Sequence, residues 1–171
     1  MKVGYVVLYE DGELVISKNH TLLQKKIIKD YGEFDDTDVP WIDKSSQIKK
    51  VQILDQVKSN YMKEWFEDCI NLNILINFKN LDTSDCINFS FIFSNCISLQ
   101  DINDLQTWNV SKGTDFLGMF KYCIFLQEIL LSNTLNILTK EMFELCNPTL
   151  KIHWKKHIYT YADLLEYQKI Y

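Results

Sequence analysis

The chain has 171 residues, 47% of them apolar and 13% aromatic, enough to bury one sizeable core in a single domain. A formal net charge of -5 excludes a nucleic-acid binder working through a broad basic face, which needs clustered Lys and Arg. The richest apolar run, residues 123–131, is broken by Gln127 and Glu128 and is too short to cross a bilayer.

The opening "MKVGYVVLYEDGELV" reaches Glu10, Asp11 and Glu13 before a signal-peptide core can form, which predicts a cytoplasmic protein. Five cysteines, an odd number, then read as reduced thiols rather than a disulfide frame. "GYVVLYEDGELVIS" is two apolar runs joined through Asp11-Gly12, a hairpin signal because Gly takes the positive φ that the turn needs. A helix is expected at about residues 20–30, followed by the acidic stretch "DYGEFDDTDVPWID" (30–43), whose acids interleave with Phe34, Val39, Trp41 and Ile42. It reads either as a solvated loop or as a docking segment. In the second reading Asp35, Asp36 and Asp38 steer the chain toward a basic groove and Trp41 anchors it; alternatively Trp41 seals the hairpin cap against the first repeat. "QIKKVQIL" (47–54) supplies an incoming strand, so residues 1–57 read as an N-terminal cap of hairpin, helix and strand.

Residues 58–150 repeat. "FIFSNCISL" (91–99) returns as "GMFKYCIFL" (118–126), and the steps from Phe66 to Phe93 to Phe120 to Phe143 are 27, 27 and 23 residues. Each Phe carries a Cys three residues on, at Cys69, Cys96, Cys123 and Cys146. "TSDCINFSFIF" (83–93), "VSKGTDFLGMF" (110–120) and "NYMKEWFEDC" (60–69) space apolar residues three or four apart and predict short helices. "LQDINDL" (99–105) and "LQEILL" (126–131) predict one strand per unit. The expected fold is therefore α/β: a short leucine-rich-repeat solenoid, helix plus parallel strand per repeat, between an N-terminal β-hairpin cap and a C-terminal helix cap. The latter cap, residues 151–171, contains "TYADLLEYQKIY", in which Thr160 and Asp163 form a capping-box variant ahead of Leu164, Leu165 and Tyr167.

"WNVSKGTDFLGMFKYCIFL" (108–126) and "LDTSDCINFSFIFSNCISL" (81–99) resemble the units of the BspA-like leucine-rich repeat family, and "YVVLYEDGELVIS" resembles the hairpin that opens many of its members. The resemblance implies a repeat solenoid. That family is associated with large surface proteins, whereas this sequence shows few repeats and no visible export signal, so the surface-adhesion role transfers poorly.

No constellation for catalysis stands out. One cysteine per repeat makes a row at the spacing of neighbouring strands, about 4.7 to 4.9 Å, and a row cannot surround one tetrahedral ion. It reads as a buried ladder. "HWKKH" (153–157) lacks the Glu of a zinc-protease motif and reads as surface histidines at an edge turn. The sequence thus predicts a non-catalytic, cofactor-free, metal-free module that binds another protein, with Asp101, Asn103 and Glu128, next to His153, projecting from the sheet face. The alternative is an anti-CRISPR-like inhibitor, carried by a mobile element, whose acidic surface occludes the basic groove of a host defence nuclease.

Overall fold

The computed structural model describes residues 1–166, and of Asn103 the main chain alone. In chain order the strands are β1 (Lys2–Tyr9), β2 (Glu13–Ser17), β3 (Ile27–Asp35), β4 (Lys50–Ile53), β5 (Val57–Lys58), β6 (Ile74–Ile76), β7 (Leu81–Asp82), β8 (Glu128–Leu130), β9 (Lys151–Trp154) and β10 (His157–Thr160), followed by helix α1 (Tyr161–Glu166). They form three sheets, ordered β3-β1-β2-β4-β6, β10-β9-β8 and β5-β7.

The Asp11-Gly12 turn joins β1 to β2 as an antiparallel hairpin. Gly12 has φ +85°, and a Cβ there would lie 2.8 Å from the Gln47 carbonyl oxygen. Its own carbonyl accepts the amides of Lys49 (2.9 Å) and Lys50 (3.2 Å), so the turn receives the chain that becomes β4, parallel to β2. The helix expected over residues 20–30 does not form. Ile27 and Ile28 begin β3 instead, antiparallel to β1 with three register shifts. Two β-branched residues suit a strand, and β1 offers them an edge of unsatisfied backbone groups.

The repeats hold their spacing but not their expected conformation. Among the described residues α1 is the single α-helix, and it lies beyond the repeats, so the helix-plus-strand leucine-rich-repeat solenoid is overturned in favour of a mostly β fold. The cause is visible in the backbone. Glu64, Phe91 and Gly118 have φ of 62°, 56° and 60°, and Asp68, Asn95, Tyr122 and Leu145 have φ of 59°, 58°, 59° and 62°, so left-handed residues recur in every unit where a helix allows none. Hydrogen bonds that would run along a helix axis run sideways. The amides of Met62, Glu64, Phe66 and Asp68 donate to the carbonyls of Asn88, Ser90, Ile92 and Ser94 at 2.9 to 3.1 Å, and those of Phe89, Phe91, Phe93 and Asn95 donate likewise to the next unit. Successive tight turns with apolar residues three apart mimic the helical pattern in sequence while obeying a lateral, sheet-like ladder.

The side chains inside this ladder repeat with it. Phe66, Phe93, Phe120 and Phe143 are fully buried, with ring centroids 5.5, 5.9 and 5.3 Å apart. The four ladder cysteines are buried beside them. The Sγ of Cys96, Cys123 and Cys146 donates to the carbonyls of Phe66, Phe93 and Phe120 at 3.1, 3.2 and 3.0 Å. One apolar cluster extends from Val3 to Leu164. At its far end Thr160 and Asp163 cap α1 reciprocally, Asp163 Oδ2 accepting the Thr160 amide (2.6 Å) and Thr160 Oγ1 accepting the Asp163 amide (3.1 Å). The rest of the expected closing helix, from Tyr167 on, lies outside the described residues.

Candidate functional site: a split in the sheet face

Lys50, Ile74, Asp101, Glu128 and Lys151 occupy equivalent places in successive units. Lys50 pairs with Ile74 in the first sheet and Glu128 with Lys151 in the second. Asp101, 27 residues from both Ile74 and Glu128, falls between them, and the strand predicted over 99–105 is absent there. Residues 103–107 wind instead into a 3-10 turn, in which Thr107 Oγ1 donates to the Asp104 carbonyl at 2.6 Å. Asp and Asn are poor strand formers that bond locally to the main chain, and this unit holds Asp101, Asn103 and Asp104 within four positions.

The result is an interrupted face. β6 ends one sheet and β8 begins the other. A cleft of about 280 Å³ opens between β6 and the third unit, lined by Asn73, Ile74, Leu75, Phe78, Asp101, Ile102 and Asp104. Its floor is apolar, its charged groups are both carboxylates, and Ile74 stands 48% exposed at its edge. Asp104 Oδ2 accepts the Lys79 amide at 3.3 Å, which fixes that carboxylate at the rim.

Of the predicted face residues, Asp101 lines this cleft and Asn103 begins the 3-10 turn behind it in the chain. Glu128 lies one unit further along the face, exposed and paired with His153 on β9. Sequence reasoning missed Ile74 and Asp104. The 27-residue step contained a signal for Ile74, which it sets opposite Asp101.

The acidic stretch is a correction. Asp36 is 3% exposed, its Oδ1 lying 2.6 Å from the Met1 ammonium and its Oδ2 accepting the Asn60 amide at 3.0 Å. Trp41 is fully buried, its Nε1 donating to the Trp65 carbonyl (2.6 Å) and its ring 5.2 Å from Phe34 and 6.4 Å from Phe66. Neither side chain is on the surface, so neither can steer or anchor a partner; Trp41 packs between Phe34 of β3 and Trp65 and Phe66 of the first unit. Asp35 lies in β3, 3.8 Å from the Met1 ammonium and 3.9 Å from Lys2 Nζ. Others are engaged within the chain too: Asp30 with His20, Glu33 with Lys2 and Asp43 with Lys29. Of the predicted trio, Asp38 is the exposed one.

The cysteines are not set up for chemistry. Burial pushes every thiol up, those of Cys86 and Cys146 to about 12 and those of Cys69, Cys96 and Cys123 well above the ordinary thiol value, so the thiolate that attacks or ligates is suppressed. His153 and His157 lie on the two strands of the β9–β10 hairpin, with Lys155 at φ 55° in its turn. Among the described residues no three His, Cys, Asp or Glu side chains are grouped to hold a metal ion.

Fold and face together define a mostly β protein of laterally bonded units carrying a split sheet. The family described as "Mycoplasma protein of unknown function, DUF285" matches residues 40–153, two thirds of the chain, and the chain belongs to that family. This replaces the resemblance to BspA-like leucine-rich repeat proteins, which neither the family match nor the sheet-rich fold supports. No curated protein and no solved structure matches the chain. No helix among the described residues is long and apolar enough to cross a membrane.

Proposed function

We propose that this chain is a non-catalytic protein-interaction module whose split sheet face receives a partner protein. The observation that carries the reading is the cleft beside β6, an apolar floor with an acidic rim, the form of site that holds a side chain or short segment of another protein. A partner of this kind is a protein rather than a nucleic acid or an anionic membrane, since both of those reward clustered Lys and Arg, whereas the cleft is lined by Asp101 and Asp104. Suppressed thiolates support the absence of a cysteine nucleophile, and five free thiols support a reducing, cytoplasmic setting.

The test compares the wild-type chain with Ile74→Arg, which fills the cleft edge at a site already exposed. Proteins retained from the native host are identified by mass spectrometry, and the principal one is purified and titrated against both variants. One stoichiometric partner, bound by wild type and lost by Ile74→Arg at unchanged melting temperature, is the expected result. A partner bound equally by both variants overturns the assignment of this face.

A further inference from the structure

We infer that the partner contributes an extended segment that adds to β6 as a new edge strand, with apolar and basic side chains alternating along it. This rests on the reading of the split face as the binding site. In the β4–β6 ladder Ile74 stands opposite Lys50 and its amide reaches the Lys49 carbonyl, so the main-chain groups of Ile74 and Ile76 are directed at β4. Parallel strands alternate, so the amide and carbonyl of Leu75 are directed the other way, into the cleft. There the third unit, which by spacing should have paired with β6, has turned into its 3-10 conformation. An exposed strand edge beside a groove is the structural requirement for strand addition, in which main-chain bonds supply affinity and alternate side chains supply specificity.

Within its own sheet the other edge differs. β3, at the far end of the same sheet, departs from regular register at three points along β1, the kind of irregularity that blunts an edge. β6 is straight through its three paired residues. The chemistry of the occupant is set by the lining. Ile74, Leu75, Phe78 and Ile102 favour apolar groups, and the carboxylates of Asp101 and Asp104 favour Lys or Arg at the positions between.

The probes are a capped Lys-Val-Lys-Val-Lys peptide, the same peptide N-methylated at every backbone amide, and a Glu-Val-Glu-Val-Glu peptide, each titrated into the full chain labelled for amide exchange by NMR. The lysine peptide is expected to slow exchange at Leu75 at least about tenfold at saturation, as a newly paired edge amide requires. The N-methylated and glutamate peptides are expected to leave it unchanged. Asp104→Asn should weaken the lysine peptide about two- to fivefold at low salt, the size of one rim charge. Equal protection by the N-methylated peptide overturns strand addition, and equal protection by the glutamate peptide overturns the basic specificity. If the lysine peptide leaves Leu75 unprotected while Ile74→Arg still abolishes partner binding, strand addition falls and the face remains the binding site. If Ile74→Arg leaves partner binding intact, the face itself falls.

Discussion

Replacing Phe93 by Ala removes the central ring of the aromatic stack, and the structure predicts that it costs more than the same change at the end of the row. Phe93 is fully buried with Phe66 at 5.5 Å on one side, Phe120 at 5.9 Å on the other and Phe78 at 6.2 Å. Truncating a buried Phe costs about 3 to 5 kcal/mol through lost transfer energy and the cavity left behind. Phe143 is equally buried, but among the described residues its ring pairs with Phe120 alone, at 5.3 Å. Each aromatic pair is worth about 0.5 to 1.5 kcal/mol beyond its area, so Phe93→Ala should exceed Phe143→Ala by roughly one to two such pairs. Urea unfolding followed by circular dichroism reads the difference. With a slope of about 2 kcal/mol/M, Phe93→Ala should lower the midpoint by about 1.5 to 2.5 M and Phe143→Ala by visibly less. Phe125→Ala, at a ring 56% exposed, is the control and should stay within about 0.5 kcal/mol of wild type. Equal midpoints for Phe93→Ala and Phe125→Ala would refute the stacked core; equal losses at Phe93 and Phe143 would refute the pairwise argument.

Trp41→Ala should cost about 3 to 5 kcal/mol in the same assay, while Asp38→Lys should change stability by less than about 0.5 kcal/mol, because one is sealed in the core and the other is exposed. Reversal of that order would return the acidic stretch to the surface. Gly118→Ala should cost about 1 to 3 kcal/mol, because Gly118 has φ +60° and a Cβ would lie 2.5 Å from the Phe91 ring, a loss read as a lower melting temperature. The five thiols give the chain an alkaline limit. Their folded values all lie above the ordinary thiol value of 9.0, so their contribution is complete below that pH and is lost as pH rises toward the folded values. Melting temperature should fall from about pH 9 upward, and less steeply in Cys96→Ala/Cys123→Ala. Parallel pH profiles for wild type and the double variant would refute the assignment.

How far the sequence was legible depended on which physical constraint wrote each signal. The hairpin at Asp11-Gly12 and the cap at Thr160 and Asp163 are local, fixed by one turn residue or one reciprocal side-chain pair, and both stand where the sequence put them. The spacing of Phe and Cys is written by lateral stacking, so the rings of Phe66, Phe93, Phe120 and Phe143 meet in order. Conformation within a unit was not legible, because an apolar residue every three or four positions suits either a helix or a run of tight turns. The distinguishing information sits at the left-handed positions, where Gly118, Asn95 and Asp68 are of types that favour that geometry, whereas Glu64, Phe91, Tyr122 and Leu145 adopt it without a residue type that would announce it.

The same ambiguity hid the candidate site. Lateral bonding tolerates left-handed residues at about 1 to 2 kcal/mol each because every second amide gains a partner on the neighbouring unit. Such a ladder continues on the turn side through Tyr61, Asn88 and Asp115 even where the opposite side loses its strand. The sheet face can therefore open at one unit without unstacking the core, and Ile102 stays 2% exposed beneath the opening. A cleft in this fold comes from a change of composition at a single rung, here the Asp101, Asn103 and Asp104 group, whose acids look in sequence like ordinary surface charge. Restoring strand formers at that rung, as in Asp101→Thr/Asp104→Val, is the change that should close the split. It should join the two sheets, slow amide exchange at Leu75 without any peptide present, and remove partner binding while leaving the aromatic stack untouched. Unchanged exchange at Leu75 in that variant would show that the acids of this rung do not hold the face open.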